Sequence, residues 1–82
     1  MVDRRKASQL AKEGFELQQA DRLEEAVEKY REAIEYIDPT HYAMPDYHRE
    51  FASVLAQLGR NKEARDQFEL ALQHELRQAG SE

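Results

Sequence analysis

Hydrophobic residues recur along this chain at intervals of three and four, which is the spacing of one face of an α-helix. The first stripe runs from Ala7 to Leu17 and predicts a helix from about residue 4 to residue 20. The second runs from Leu23 to Ile37 and predicts a helix that ends before Pro39, because the residue preceding a proline avoids the helical region. Charged residues fall between the apolar positions, so each helix has one buried side and one wet side.

Two more stripes follow an irregular segment, residues 39–45, which has a proline at each end. The third stripe starts at Tyr47 and stops at Gly59, a residue that suits the left-handed conformation after a helix. The fourth starts at Ala64 and frays beyond Leu76 toward Glu82. Four helices joined by a short, a long and a short connection predict two helical hairpins in series.

Polar side chains at the predicted helix starts are candidate N-caps. Asp21, with Glu24 three residues later, fits a capping box at the second helix, while Asp46 precedes the third helix and Asn61 begins the fourth. We therefore expect these side chains to accept free backbone N–H groups in the first turns.

The two hairpins are copies of one another, because shifting the chain by 38 residues places like residues on like. The identical pairs are Leu17 and Leu55, Gln19 and Gln57, Arg22 and Arg60, Glu25 and Glu63, Ala26 and Ala64, and Ala33 and Ala71. Small residues coincide at Gly14 and Ala52, and aromatic residues coincide at Tyr30 and Phe68. A small residue lets two helices approach closely while an aromatic one fills the adjoining space, so both hairpins should nest in the same way.

These residues resemble the tetratricopeptide repeat, a 34-residue helix-turn-helix unit with the pattern W-x2-L-G-x2-Y, then A-x3-F, then A and P. The two copies read Leu10-x2-Glu13-Gly14-x2-Leu17, Ala26-x3-Tyr30, Ala33 and Pro39, then His48-x2-Phe51-Ala52-x2-Leu55, Ala64-x3-Phe68 and Ala71. Neither copy has the tryptophan, the second lacks the proline, and the period is longer than the family's. The resemblance implies one all-α domain, residues 1–82, in which repeat one (about 7–39), a linker (about 39–45) and repeat two (about 46–76) form a short right-handed α-solenoid of two stacked helix-turn-helix hairpins.

Proteins of this family use a concave surface, lined by the first helix of each repeat, to bind a peptide or a partner helix. Carried over by position, the resemblance implies a groove formed by Ser8, Phe15, Gln18, Gln19, Arg49, Ser53 and Gln57. Phe15 is the expected apolar anchor and Arg49 the expected charged contact. A core position beside Ala11 and Leu55 is the alternative for Phe15. The predicted function is that of a non-catalytic adaptor with a protein or peptide partner.

The fourth helix carries more apolar residues than one buried stripe needs. These residues are Phe68, Leu70, Leu72 and Leu76. The pattern shows no polar capping helix after them, although such arrays normally close with one. The alternative function is therefore a self-assembling unit, a homodimer that continues the stack across two chains.

Composition narrows the function classes. The chain has 82 residues, of which 40% are hydrophobic and 35% charged, with a net charge of −5 and a mean hydropathy of −0.94, so we expect a thin core and a large wet surface. The negative charge argues against a nucleic acid or a membrane as partner, and the basic cluster Arg4-Arg5-Lys6 is too short to offset it. The chain lacks cysteine and shows neither a signal peptide nor a membrane-spanning run, so we expect a cytoplasmic protein.

Candidate chemistry is sparse. His41, His48 and His74 lack the i,i+4 pairing of zinc-binding helices, so we interpret them as surface or loop residues rather than metal ligands. His48 occupies the position of the family's tryptophan and should be partly buried. No phosphate-binding glycine loop and no nucleophile beside a base stand out, so no enzymatic activity, cofactor or metal is expected.

Aromatic residues surround the linker, at Tyr36, Tyr42 and Tyr47, and Met44 lies among them. They either plug the gap left by the longer connection or form a small exposed patch. We favour plugging, because so small a chain has few apolar residues to spare.

Overall fold

The computed structural model describes residues 2–80, and these form four α-helices and no β-strand. The helices are α1 (Arg4–Gln19), α2 (Leu23–Tyr36), α3 (Met44–Gln57) and α4 (Asn61–Ala79). Three residues of the predicted domain lie outside the described residues, namely Met1, Ser81 and Glu82. Ser81 and Glu82 belong to the predicted frayed end of the fourth helix. The all-α prediction is confirmed.

The helices pack as two hairpins that lie side by side. Helix α1 packs against α2, α3 packs against α4, and α2 packs against α3 to join the two pairs. We call α1 and α2 hairpin 1, and α3 and α4 hairpin 2. Each helix contributes an apolar stripe to these contacts, as the spacing of its hydrophobic residues predicts.

The main core lies where α2 meets α3. Val27, Tyr30 and Leu55 are each only 1% exposed, and Phe51 is 6% exposed. The remaining buried members of this cluster are Ala26, Ala52, Val54 and Ala64. A second, smaller cluster sits under the linker and contains Ala7, Ile37 and Met44.

Close approach of α1 and α2 depends on Gly14, which is buried on α1. A Cβ placed on Gly14 would lie 3.1 to 3.2 Å from three atoms of the Tyr30 ring, closer than an ordinary contact. The equivalent residue of hairpin 2, Ala52, is fully buried. The predicted close approach at a small residue is therefore shown for hairpin 1, whereas in hairpin 2 the small residue is buried but Phe68, the equivalent of Tyr30, is 45% exposed.

The two tight turns have the same backbone geometry, 38 residues apart. Asp21 has φ +61° and Gly59 has φ +81°, so both adopt the left-handed conformation. After Asp21, the Arg22 N–H donates to the Leu17 carbonyl at 2.9 Å, and after Gly59 the Arg60 N–H donates to the carbonyl of the equivalent leucine, also at 2.9 Å. This is the Schellman arrangement, which satisfies carbonyls that the helix end leaves free.

The three predicted N-caps are wrong. Asp21 lies in the left-handed turn before α2, Asp46 lies inside the first turn of α3, and Asn61 is already the first helical residue of α4. The side chain that does cap a helix is Asp3, which accepts the Lys6 N–H at 3.1 Å at the start of α1. The cap prediction failed because the Schellman turn, rather than a polar side chain, sets where α2 and α4 begin.

Arginine takes the N-cap position of α2 and of α4. Arg22 forms two hydrogen bonds of 2.7 Å to the Glu25 carboxylate, and Arg60 forms two of 2.9 and 2.7 Å to Glu63. These ion pairs are largely exposed to solvent, so each contributes little to stability. Their recurrence shows that the internal repeat extends from the core to the surface of the turns.

The linker residues are mostly packed inward. Met44 is buried, and Tyr36 and Tyr47 pack against the smaller cluster. Tyr42 is 80% exposed and stacks its ring on His41. The plugging prediction is therefore confirmed for Met44, Tyr36 and Tyr47 and wrong for Tyr42, whose side chain points away from the gap.

Candidate functional site

The predicted groove residues lie on one surface of α1 and one of α3. Ser8, Phe15, Gln19, Ser53 and Gln57 are exposed, while Gln18 and Arg49 are half-buried. The side chain of Phe15 is 52% exposed, so the alternative of a core position for this residue is wrong. A half-exposed aromatic side chain offers apolar area that a ligand can bury.

Gln18 connects three helices. Its Nε2 donates to the Oε1 of Gln57 on α3 at 2.5 Å, and its Oε1 accepts a hydrogen bond of 3.2 Å from the hydroxyl of Tyr30 on α2. Burial raises the pKa of Tyr30 to about 12, so this hydroxyl remains a donor at neutral pH. The two predicted groove residues Gln18 and Gln57 thus fix the C-terminal ends of α1 and α3 beside each other.

Arg49 already has two anionic partners. Its guanidinium lies 2.7 Å from Glu75 of α4 and 2.8 Å from Asp46 one turn earlier. The hydrogen bonds to these carboxylates raise the pKa of Arg49. A ligand carboxylate would therefore have to compete with Glu75 and Asp46 for this side chain.

The apolar residues of α4 fall on two sides of the helix. Phe68, Leu72 and Leu76 are spaced by four and share one stripe, and they are 45%, 55% and 62% exposed. Leu70 is 45% exposed, but it lies two residues from Phe68 and Leu72 and therefore on nearly the opposite side, since each residue turns the helix by about 100°. The four residues predicted as one self-association surface are not one surface.

We call the stripe of Phe68, Leu72 and Leu76 the α4 stripe. Phe68 and Leu72 line a shallow groove between α3 and α4. The other residues of this groove are Ala56, Asn61, Ala64, Arg65 and Glu69. Periodicity alone could have separated Leu70 from the stripe, whereas the contribution of Ala56 from α3 depends on how the two helices cross.

Sequence reasoning missed a second groove, which runs between α2 and α4 with α3 at its base. Phe51 and Leu55 form part of its lining, together with charged residues of α2 and α4. The Arg31 guanidinium lies 5.7 Å from the centroid of the Phe51 ring. His48 is half-buried here, as predicted, with its Nδ1 2.6 Å from Oε1 of Gln67.

The other two histidines each hold a different part of the linker. Nδ1 of His41 accepts the Ala43 N–H at 3.1 Å, and Nε2 of His74 donates to the Pro39 carbonyl at 2.5 Å. Nδ1 of His74 is buried without a hydrogen-bond partner among the described residues. Within residues 2–80, no group of three or more His, Cys, Asp or Glu side chains is placed to hold a metal ion. His48 and His74 thus link separate elements, whereas His41 bonds within the linker.

None of the helices in residues 2–80 combines the length and the hydrophobicity needed to cross a membrane.

Comparison of the chain with models of protein families, with curated proteins and with solved structures found no match. Residues 2–80 thus define a fold of two packed helical hairpins, with a half-exposed phenylalanine on α1 and an exposed apolar stripe on α4.

Proposed function

We propose that this chain is a non-catalytic adaptor of the tetratricopeptide type, which binds an extended peptide or a partner helix on the surface formed by α1 and α3. The observation that carries the proposal is the exposure of Phe15 on this surface. The residue pattern of the two copies supports the assignment to this repeat type. The absence of cysteine is compatible with the reducing cytoplasm, where we propose that the protein acts.

The surroundings of Phe15 suit a side-chain anchor. Ala11 and Gln18 lie one turn before and about one turn after it on α1, and both are half-buried. Gln18 is held in place by Gln57 and Tyr30, so the surface next to the ring is ordered before a ligand arrives. A pre-ordered surface loses less conformational entropy on binding.

The expected ligand has an apolar side chain for the Phe15 ring and polar backbone or amide groups for Gln19 and Gln57. Both glutamine side chains are exposed and can donate and accept hydrogen bonds. Ser8 and Ser53 are small, so an extended chain can lie close to the two helices. The contact area available on two hairpins is small, and a dissociation constant near ~1 µM is the expected scale.

The test uses a random peptide library displayed on phage and selected on the immobilised chain. Titration calorimetry then compares the wild type with Phe15→Ala and with Tyr42→Ala, a matched control that removes another exposed aromatic ring. We expect Phe15→Ala to weaken binding at least ~10-fold, the size of a modest anchor, and Tyr42→Ala to have no effect. Selected peptides whose affinity is the same for wild type and Phe15→Ala would refute the proposal.

A further inference from the structure

Within residues 2–80, one side of hairpin 1 is covered by the next helix, whereas no described helix covers the same side of hairpin 2. Tyr30 of α2 lies in the core cluster with Phe51 and Leu55 of α3 and is 1% exposed. Its equivalent 38 residues later, Phe68, is 45% exposed. Hairpin 1 therefore shows how this side of a hairpin is covered, namely by a helix that carries an apolar stripe.

The first helix of a second copy does not provide that stripe. Where α3 places Tyr47 and Phe51 against the core clusters, the equivalent positions of α1 are Gln9 and Glu13. The Glu13 carboxylate lies 3.4 Å from the Lys29 ammonium of its own hairpin. Covering Phe68 with this polar side of α1 would remove charged groups from water without compensation, which disfavours head-to-tail stacking.

The open side of hairpin 2 also differs from the covered side of hairpin 1. Leu23 and Val27 of α2 correspond to Asn61 and Arg65 of α4, so the first half of α4 is polar. The exposed apolar residues lie in its second half, at Leu72 and Leu76, with Phe68 before them. If a helix packed on hairpin 2 in the way that α3 packs on hairpin 1, it would cover Arg65 and leave Leu76 exposed.

An antiparallel pair of α4 helices fits this distribution. Phe68 and Leu76 lie four residues on either side of Leu72, so a two-fold axis at Leu72 sets Phe68 of one copy against Leu76 of the other. The same axis places Arg65 opposite Ala79 of the second copy, at the end of α4. Free carbonyls at a helix C-terminus favour a positive charge, so this arrangement is complementary.

The charges along α4 nearly cancel, although the chain as a whole carries −5. Glu63 and Glu75 are already paired with Arg60 and Arg49 of the same chain. Among the residues that the structure describes, the charges of α4 outside these ion pairs are then nearly balanced: Asp66 and Glu69 against Lys62, Arg65 and Arg77. The axis at Leu72 sets Glu69 of one copy opposite Glu75 of the other, but the charge of Glu75 is already paired with Arg49, which weakens the repulsion between these two carboxylates.

We propose that the chain forms a two-fold symmetric dimer through the α4 stripe, with the two α4 helices antiparallel and crossing at Leu72. This interface is separate from the Phe15 surface, so either proposal can fail while the other stands. Phe68, Leu72 and Leu76 of each copy become buried, and Leu70 remains exposed in the dimer.

Sedimentation velocity tests the dimer from about 10 µM to about 1 mM, a range above the micromolar dissociation constants typical of small interfaces. We expect a dimer for the wild type and for the control variant Leu70→Glu, which replaces an exposed leucine on the other side of α4. Leu72→Glu should weaken dimerisation at least ~100-fold, because each dimer loses two buried leucines and gains two facing charges. Circular dichroism should show unchanged helix content in both variants. A wild type that stays monomeric throughout, or a dimer that Leu72→Glu leaves intact, would overturn the proposal.

Single-cysteine variants test the symmetry, because the chain has no cysteine of its own. Leu72 lies on the proposed axis, so two copies of Leu72→Cys bring their thiols together and should form a disulfide-linked dimer on mild oxidation. Leu70→Cys should stay monomeric on a non-reducing gel under the same conditions. Equal cross-linking of the two variants would refute the antiparallel pairing.

Discussion

Gly59 and Asp21 allow the turn geometry to be tested with a pair of opposite substitutions. The two residues occupy equivalent positions in the repeat, and both have positive φ angles. Glycine adopts this conformation without steric cost, whereas a residue with a Cβ pays about 1 to 2 kcal/mol. Aspartate tolerates the left-handed conformation better than alanine does, so the strain at Asp21 is smaller than an alanine would have there.

The structure shows whether an added Cβ would make contacts besides the backbone strain. A Cβ added to Gly59 meets nothing within 4 Å, so no new contact offsets the strain and no clash adds to it. Gly59→Ala should therefore reduce the free energy of unfolding by about 1 to 2 kcal/mol. Asp21→Gly should increase it by up to about 1 kcal/mol, since relief of the strain is partly offset by the greater flexibility of the unfolded chain.

Urea denaturation followed by circular dichroism measures both changes, and thermal melting should show a shift of about 4 to 8 °C per kcal/mol for a domain of this size. Gly80→Ala is the matched control, because Gly80 has φ −87° and a Cβ there makes only ordinary contacts. Its stability should equal or slightly exceed that of the wild type. If Gly59→Ala proves as stable as the wild type, or if Gly80→Ala loses as much, the reasoning about the turn is refuted.

Further substitutions test the contacts between helices and the charge of Glu50. Gly14→Val should destabilise by about 1 to 3 kcal/mol in urea denaturation, because its side chain overlaps the Tyr30 ring; unchanged stability would mean that the two helices can separate freely. Tyr30→Phe should reduce the free energy of unfolding by about 1 kcal/mol, because the hydrogen bond to Gln18 is lost. In the Gln18→Ala background, Tyr and Phe at position 30 should give equal stability. Partial desolvation and the charge of Asp46 raise the pKa of Glu50, so its ionised form disfavours folding at pH 7. Glu50→Gln should then raise the melting temperature at pH 7, with a gain that shrinks as the pH falls through the folded-state pKa; an equal gain at acid pH would contradict this cause.

Helix positions were largely predictable because each stripe is a local property of the sequence. The start of α3 differs from the prediction by three residues, because the apolar stripe predicts a start at Tyr47 whereas Met44 is buried and begins the helix. Pro45 falls within the predicted linker but lies in the first turn of α3, because a proline there lacks only an N–H that has no helical partner. The N-caps of α2 and α4 failed for a different reason, because side-chain preference competes with the backbone geometry of the preceding turn.

The candidate surface was only partly predictable. Its residue positions followed from the family resemblance, but the exposure of Phe15 could not be derived, because a phenylalanine beside an apolar stripe fits a core or a surface equally well. The pairing of Arg49 with Glu75 joins residues 26 positions apart, and no local pattern places them in contact. The same applies to the bond between Gln18 and Gln57.

The sequence by itself determined that this protein is helical, where its helices lie, and that one hairpin is built twice. Those properties depend on residue spacing within a few turns and on a repeat that can be counted along the chain. The tertiary structure alone decided which exposed side chains share a surface and which charges are already paired. That difference arises because contacts between helices depend on how closely and at what angle they cross, as Gly14 and Tyr30 illustrate, and spacing along one helix carries no such information.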